Sequence, residues 1–157
     1  MLVTLWRHGE AGYAASDAER ALTDRGEAHV RSSAAAYLSW CRNAGIQVPS
    51  HCTHSPLVRT RQTSQLLGAD IGFGALTSDD RLAPGEQHYT QGLFLADDVD
   101  HQLIVGHQPY LSELIDVWCD AAQYHGLSPS GFAVIRLLMP TRGGGELIHY
   151  MPEGFSL

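Results

Sequence analysis

A long amphipathic helix between two strand-like segments is the feature that most constrains the fold of this chain. Residues 30–44 place apolar side chains at steps of three and four, which gives the helix one apolar face. Thr23 is a suitable N-cap for this helix, and Gly45 is a typical residue for its C-terminal end. The flanking segments, residues 2–6 and 51–54, are interpreted as strands. This order of elements predicts an α/β fold.

The remaining segments continue the alternation of strands and helices. Their apolar spacing and turn residues predict a helix over 56–67 that stops at Gly68, a strand at 75–77 and a helix at 93–96. A strand at 102–105 follows, and then a helix that carries Pro109 in its first turn and has an apolar face as far as Ala122. The last two predicted strands are 132–139 and 146–151. Three consecutive glycines between the last two strands indicate a hairpin turn. We therefore expect a three-layer sandwich, with a mostly parallel central sheet, helices on both faces and a C-terminal antiparallel hairpin.

Composition excludes several classes of protein. The chain of 157 residues fits one domain, for which we expect the bounds 1–157. A net charge of −7, with ten arginines and no lysine, lacks the basic stripe of a nucleic-acid-binding protein, so we expect no nucleic-acid partner. We also expect no membrane association, because no apolar segment approaches the roughly 20 residues that span a bilayer.

The cysteines and histidines indicate neither disulfides nor a metal. Cys41, Cys52 and Cys119 are widely spaced and odd in number, so we expect reduced thiols. Together with an apolar N-terminal segment too short for a signal peptide, they favour a cytoplasmic location. The tightest group of metal-ligating types is His51, Cys52 and His54, but on a strand the two histidines would point to opposite faces. We predict no bound metal and no cofactor.

Two arginines and two histidines follow predicted strands. Arg7 and His8 come after the first strand, Arg59 comes shortly after the second, and His107 follows the strand at 102–105. Since ligands of open α/β sheets bind beyond the carboxyl ends of the strands, we expect these side chains to meet there. Guanidinium groups bind phosphate oxygens in pairs, and a neutral imidazole can accept a phosphoryl group. The pattern predicts a metal-free site for phosphoryl transfer.

Four short motifs resemble those of a known family. They are Arg7-His8-Gly9-Glu10, Leu22-Thr23 with Gly26, the segment Ser55-Pro56-Leu57-Val58-Arg59-Thr60-Arg61-Gln62-Thr63, and Gly106-His107-Gln108-Pro109. In this order they resemble four motifs of the histidine phosphatase superfamily, also called the phosphoglycerate mutase-like superfamily. These motifs are the RHG signature, the "LTxxG" element, the "SPxxRxxQT" helix start and the second histidine motif. The small size of the chain is most similar to that of the SixA-type phosphohistidine phosphatases.

The resemblance implies a role for each matched residue. His8 would be the nucleophile that forms a phosphohistidine intermediate, and Arg7, Arg59 and His107 would bind the phosphate. Glu86 would be a candidate general acid that later deprotonates the attacking water. The implied substrate is phosphohistidine on a partner protein. Two alternatives stay open, a small-molecule phosphomonoesterase of the same superfamily and a non-catalytic module that binds phosphorylated ligands.

Several charged residues have a second interpretation. Glu86 would then be a plain loop carboxylate, and Glu10 is either a neighbour of the phosphate or a solvated side chain. We expect Arg61 to be a surface charge, because it faces away from Arg59 on a helix. For Arg81 an ion pair with a neighbouring aspartate is at least as good an interpretation as a place in the site. The sequence leaves the oligomeric state open.

Overall fold

The computed structural model of the chain describes residues 1–85, 92 and 94–155. Within these residues, six strands form one sheet in the order β3-β2-β4-β1-β5-β6. The strands are β1 (Leu2–Arg7), β2 (His51–His54), β3 (Ala75–Ser78), β4 (His101–Gly106), β5 (Phe132–Leu137) and β6 (Gly145–Met151). The first four strands run parallel to one another, whereas β5 is antiparallel to both β1 and β6.

Helices cover both faces of this sheet. The described residues contain α1 (Asp24–Ala44), α2 (Val58–Ile71) and α3 (Tyr110–Trp118). The buried side chains of α1 and α2 belong to one apolar cluster, and those of α3 belong to another. The predicted three-layer sandwich with its C-terminal antiparallel hairpin is therefore confirmed.

The central strands alternate between these two clusters. Leu103 and Val105 of β4 belong to the cluster of α1 and α2, whereas Ile104 between them belongs to the cluster of α3. Successive side chains of a strand point to opposite faces, so a strand covered on both sides is apolar throughout. Burial on both faces fixes the register of β4 between β1 and β2. It thereby places the carboxyl ends of these three strands side by side.

The bounds of α1 agree with the sequence prediction because both ends carry strong local signals. The hydroxyl of Thr23 accepts a hydrogen bond of 2.9 Å from the backbone N–H of Gly26. At the other end, Gly45 is the C-cap, and its N–H bonds to the carbonyl groups of Arg42 and Cys41. Both contacts satisfy backbone groups that the helix itself leaves unpaired.

The predicted bounds of α2 were wrong at both ends. The helix starts at Val58 rather than at Pro56, and it continues past Gly68 to Ile71. The extra turn buries Ile71 in the same cluster as α1. Gly72 ends the helix with a φ of 82°, which is the left-handed conformation of a C-cap glycine.

A helix at 93–96 is not observed. Residue 93 lies outside the described residues, and 94–96 form a turn in which the N–H of Leu95 bonds to the carbonyl of Gly92. Phe94 is buried, with its ring edge-to-face against Tyr110 at 6.1 Å between centroids. The apolar character of this segment therefore reflects burial of a loop and not helical periodicity.

Two further elements end earlier than predicted. α3 stops at Trp118, and Asp120 follows with a φ of 46°, which a right-handed helix does not allow, so Ala122 lies beyond the helix. β5 stops at Leu137, and the chain turns at Leu138 before it enters β6. In the described part of the chain, no helix is both long enough and apolar enough to cross a bilayer.

Candidate active site

The carboxyl ends of β1, β2 and β4 open into a cavity of about 350 Å³. Backbone hydrogen bonds hold the chain segments that leave these strands together: the N–H of His8 bonds to the carbonyl of Gly106, and that of Ser55 to the carbonyl of Val105. Four of the five side chains that the sequence predicts for the site line this cavity, Arg7, His8, Arg59 and His107. Glu86, the fifth, lies outside the described residues.

The ring of His8 is held in one tautomer. Its Nδ1 is 2.7 Å from the carbonyl oxygen of Gly9. A carbonyl oxygen only accepts hydrogen bonds, so Nδ1 carries the proton of the neutral ring. The lone pair of the ring therefore lies on Nε2, and the Nε of Arg59 donates to it at 3.3 Å. The nitrogen with the lone pair is also the nitrogen next to the guanidinium group.

Both histidines of the cavity are neutral at pH 7. Burial, opposed by the hydrogen bond to Gly9 and aided by nearby arginines, lowers the pKa of His8 to about 4. Burial and the neighbouring His8 and Arg59 lower the pKa of His107 to about 3. The two ring centroids are 5.2 Å apart. A neutral imidazole keeps its lone pair, which a nucleophile requires.

Arg59 uses every side of its guanidinium group. It stands in the first turn of α2 and is only 5% exposed. Its Nε binds His8, its Nη1 donates to the backbone carbonyl of Asp17 at 2.7 Å, and its Nη2 donates to the carboxylate of Asp17 at 3.1 Å. The positive charge of Arg59 is therefore fixed beside His8, and it forms an ion pair with the carboxylate of Asp17.

Arg7 lines the cavity with an oriented guanidinium group. Its Nη1 donates to the carbonyl of Leu127 at 2.8 Å, which fixes the direction of the group. Its Nε is closed to solvent and has no hydrogen-bond partner among the described residues, so Nε is not the atom that an anion in the cavity would meet. What Arg7 contributes to the cavity is therefore the fixed positive charge of its guanidinium group.

A hydroxyl group orients His107. The Oγ of Ser55 lies 2.6 Å from Nε2 of His107 and 2.7 Å from the hydroxyl of Thr60. All three side chains are buried. Because Ser55 occupies Nε2, the other ring nitrogen, Nδ1, is the one that can contact a group in the cavity.

Two glycines allow the turn after His8 to pack on the start of α1. A Cβ atom on Gly26 would stand 2.2 Å from the carbonyl oxygen of Glu10, which is closer than real Cβ atoms come. A Cβ atom on Gly9 would stand 2.7 Å from a methyl group of Val30. The Thr63 hydroxyl holds the same turn by accepting a hydrogen bond of 3.0 Å from the N–H of Gly9.

Sequence reasoning missed two charged residues of the cavity, Asp17 and Arg20. Arg20 donates to the carbonyl groups of Ala11 and Gly12, and also to the carboxylate of Asp17 at 3.3 Å. These contacts fold the loop after β1 over the cavity. A sequence signal for these two residues was available in their position. Asp17 and Arg20 are three residues apart and lie between the Arg7-His8-Gly9-Glu10 motif and the Leu22-Thr23 motif.

The other charged residues stand apart from the four cavity side chains. Glu10 lines the cavity, but its carboxylate binds Arg25 and the hydroxyl of Thr23. Arg81 forms the surface ion pair expected for it, with Asp79, and Arg61 is exposed. In the part of the chain that the structure describes, no group of three or more His, Cys, Asp or Glu side chains could hold a metal ion.

The sequence of the first half of the chain identifies its family. Residues 3–91 match the model of the histidine phosphatase superfamily (branch 1). The chain belongs to this superfamily. Membership supports phosphatase activity and agrees with the resemblance of the four motifs. Among curated proteins, no sequence match is found.

Solved structures with the same fold include several SixA proteins. The protein histidine phosphatase SixA in complex with tungstate has a TM-score of 0.79 at 24% identity, and each chain is covered to 97%. SixA from Agrobacterium tumefaciens has a TM-score of 0.76 at 22% identity, with the same coverage of both chains. SixA from Nakamurella multipartitia has a TM-score of 0.66 at 25% identity, with 94% of this chain and 93% of that chain covered.

Proposed function

We propose that this superfamily member is a metal-independent phosphatase with His8 as its nucleophile, and that its substrate is phosphohistidine on a partner protein. The observation that carries the proposal is the state of His8: a neutral ring, fixed by Gly9 with its lone pair on Nε2. A module that only binds phosphate needs the arginines but has no use for an oriented lone pair. The proposal treats residues 1–157 as one histidine phosphatase domain.

In the first step, Nε2 of His8 attacks phosphorus in line while the leaving group departs with the bonding electron pair. Arg7, Arg59 and His107 hold the phosphoryl oxygens, and their donors neutralise the charge on them. The guanidinium group of Arg7, oriented by the carbonyl of Leu127, contributes to this charge neutralisation. In the second step, water attacks the phosphohistidine, the P–N bond breaks, and Nε2 regains its electron pair. Neither step requires a metal or a cofactor.

The two carboxyl groups that the structure describes in the cavity, those of Glu10 and Asp17, favour a P–N over a P–O substrate. Hydrogen bonds from Arg59 hold the pKa of Asp17 below its usual range, and those from Arg25 do the same for Glu10. Both groups are therefore ionised at neutral pH, and neither can donate a proton to a leaving alkoxide. Imidazole needs less help to leave. For phosphomonoesters we propose Glu86 as the acid, and solvent is the alternative donor.

The similar structures support the substrate class. The SixA structures share the fold over almost the whole chain, and one of them holds tungstate, a tetrahedral oxyanion like phosphate. The name of that protein describes a protein histidine phosphatase. Another similar structure is that of a mycobacterial glucosyl-3-phosphoglycerate phosphatase, with a TM-score of 0.62 at 12% identity. Because its name describes a phosphatase of a small phosphomonoester, we also test that alternative substrate class.

Turnover of two substrates in the presence of a chelator tests the proposal. We expect wild-type protein to hydrolyse a phosphohistidine peptide faster than p-nitrophenyl phosphate, with no loss of rate in EDTA. His8→Ala is expected to abolish both activities, because no other group carries the phosphoryl intermediate. Undiminished turnover by His8→Ala would overturn the assignment, and inactivation by the chelator would replace it with a metal-dependent hydrolase.

A further inference from the structure

The carboxylate of Asp17 binds two arginines of the cavity in the way that an anionic ligand would. One of its oxygens accepts from Nη2 of Arg59 at 3.1 Å, and the other accepts from Nη1 of Arg20 at 3.3 Å. A phosphoryl group on His8 would need the donors of Arg59, because Arg59 also contacts Nε2 of His8. Substrate and Asp17 therefore compete for the same guanidinium group.

Asp17 is free to give up this contact without leaving the cavity. Its side chain is 61% exposed and stands on the short turn Asp17–Glu19. Its backbone carbonyl accepts from Nη1 of Arg59 at 2.7 Å, so the residue stays beside Arg59 when the side chain rotates. Glu10, the other described carboxylate of the cavity, has both oxygens bound to Arg25. Of the two carboxylates described in the cavity, Asp17 is thus the one that can change its partner.

A carboxylate displaced from Arg59 stays close to the phosphoryl site, because the backbone carbonyl of Asp17 remains bound to Arg59 and the residue lines the cavity. The two nitrogens of an imidazole ring are separated only by the width of the ring. In-line attack puts the leaving ring on the side of phosphorus opposite His8, and our inference places the far nitrogen of that ring within reach of the residue that is bound to Arg59. That residue is Asp17. An ionised carboxylate binds a protonated ring nitrogen strongly and repels an anionic leaving group.

We propose that Asp17 selects phosphohistidine substrates: phosphate displaces its carboxylate from Arg59, and the carboxylate then binds the N–H of the substrate's protonated imidazole ring. This inference rests on the proposed function and assigns the leaving-group contact within it. Asp17 becomes a specificity-determining residue that the motifs of the chain do not include.

The reaction balances without any general acid. The substrate ring carries a proton on its far nitrogen and the phosphoryl group on the near one. His8 forms a P–N bond, the near P–N bond of the substrate breaks, and its electron pair stays on the substrate ring, which leaves as neutral imidazole. The phosphorylated His8 keeps its proton on Nδ1, bound to Gly9. Water then forms the new P–O bond, both water protons go to the phosphate product, and Nε2 of His8 regains its electron pair.

Asp17→Asn tests the inference, with Glu19→Gln as its control. Asparagine keeps the size of the side chain but loses its charge. Glu19 is an exposed carboxylate on the same turn that accepts a hydrogen bond from Ser16, so its variant removes the same charge without touching Arg59. The probes are phosphoimidazole, p-nitrophenyl phosphate and inorganic phosphate, the last as a competitive inhibitor.

We expect Asp17→Asn to lower kcat/KM for phosphoimidazole about tenfold relative to p-nitrophenyl phosphate, the size of a lost charge-assisted hydrogen bond. Inorganic phosphate should bind several-fold more tightly, since nothing charged competes for Arg59. Glu19→Gln should change neither quantity. A second variant, Asp17→Ser, should match Asp17→Asn, and thermal unfolding confirms that each variant is folded.

The outcomes separate this inference from the proposed function. Equal loss of both activities in Asp17→Asn, or an unchanged affinity for phosphate, overturns the inference and leaves the phosphatase assignment standing. A wild-type protein that hydrolyses neither substrate overturns the assignment and the inference together.

Discussion

The Nε of Arg59 donates a hydrogen bond to Nε2 of His8 across 3.3 Å. The same ring nitrogen holds the lone pair that we propose as the nucleophile, so a residue that we propose to bind the phosphoryl group also contacts the nucleophilic atom. A phosphoryl group that binds Arg59 would draw the guanidinium group away from Nε2 and expose the lone pair. Substrate binding and activation of His8 are thereby coupled through one side chain.

Loss of Arg59 should therefore impair both binding and chemistry. We expect Arg59→Ala to lower kcat/KM by about 10²–10³, the usual effect of removing one donor to a developing charge. Arg59→Lys should recover little, because an ammonium group is a point charge without the planar, forked donors that let a guanidinium group bind two oxygens in parallel. Arg61→Ala is the matched control, an exposed arginine of the same helix whose loss should leave kcat/KM unchanged. Steady-state kinetics on a phosphohistidine peptide measure all three; equal losses in Arg59→Ala and Arg61→Ala would contradict the account.

Stability should decrease in acid through His8. In the unfolded chain the pKa of a histidine is about 6.5, and in the folded protein that of His8 is about 4. Between these values the unfolded state binds the extra proton, so the free energy of unfolding falls as the pH falls through this range. The loss attributable to His8 is about 3 kcal/mol when the range has been crossed.

Urea unfolding at pH 7 and at pH 4.5 measures this loss. The acidic groups of the protein contribute as well, so the comparison is made between wild type and His8→Asn. We expect the variant to lose less stability between the two pH values than the wild type does. An equal loss in both proteins would show that His8 is not a neutral buried group.

Ser55 should act only through His107. Removing its hydroxyl, 2.6 Å from Nε2 of His107, should lower kcat/KM about tenfold, the equivalent of one buried hydrogen bond. Ser64→Ala is the control, since this buried hydroxyl donates to the carbonyl of Thr60 instead. In a His107→Ala background, Ser55→Ala should have no further effect on kcat/KM. Additive losses in the double variant would mean that Ser55 acts independently of the ring.

Gly26→Ala should destabilise the protein although alanine favours helices. The new Cβ atom would stand 2.2 Å from the carbonyl oxygen of Glu10, and the backbone at both positions would have to move. We expect a loss of about 1–3 kcal/mol in the free energy of unfolding, together with reduced activity, because Glu10 is two residues from His8. Gly12→Ala is the control, because its nearest contact would be an ordinary 3.6 Å to Thr23. Equal stability of the two variants would contradict this packing.

The fold was predictable where local signals agree with burial. Thr23 and Gly45 mark both ends of α1 through backbone contacts that depend only on nearby residues. Gly68 misled the prediction for α2, since what extends this helix is the burial of Ile71 against distant parts of the chain. The apolar segment around Phe94 was mistaken for a helix for the same reason. Burial of a loop leaves no periodic pattern in the sequence.

The meeting of four predicted side chains in one cavity could be foreseen from the sequence, but their contacts could not. Position after a strand was enough to bring Arg7, His8, Arg59 and His107 to one cavity. The tautomer of His8 depends on the direction of the Gly9 carbonyl, which no residue type specifies. Asp17 was missed because its part in the cavity arises from a contact with Arg59 across 42 positions of the chain.

The configuration at phosphorus tests the central claim most directly. Each in-line displacement inverts phosphorus, so a phosphoenzyme on His8 requires two inversions and overall retention. The measurement uses a phosphorothioate substrate made chiral by oxygen isotopes, with hydrolysis in water of the third isotope and analysis of the thiophosphate by ³¹P NMR. The account predicts retention of configuration. Inversion would mean that water attacks the substrate directly, and it would contradict a covalent intermediate on His8.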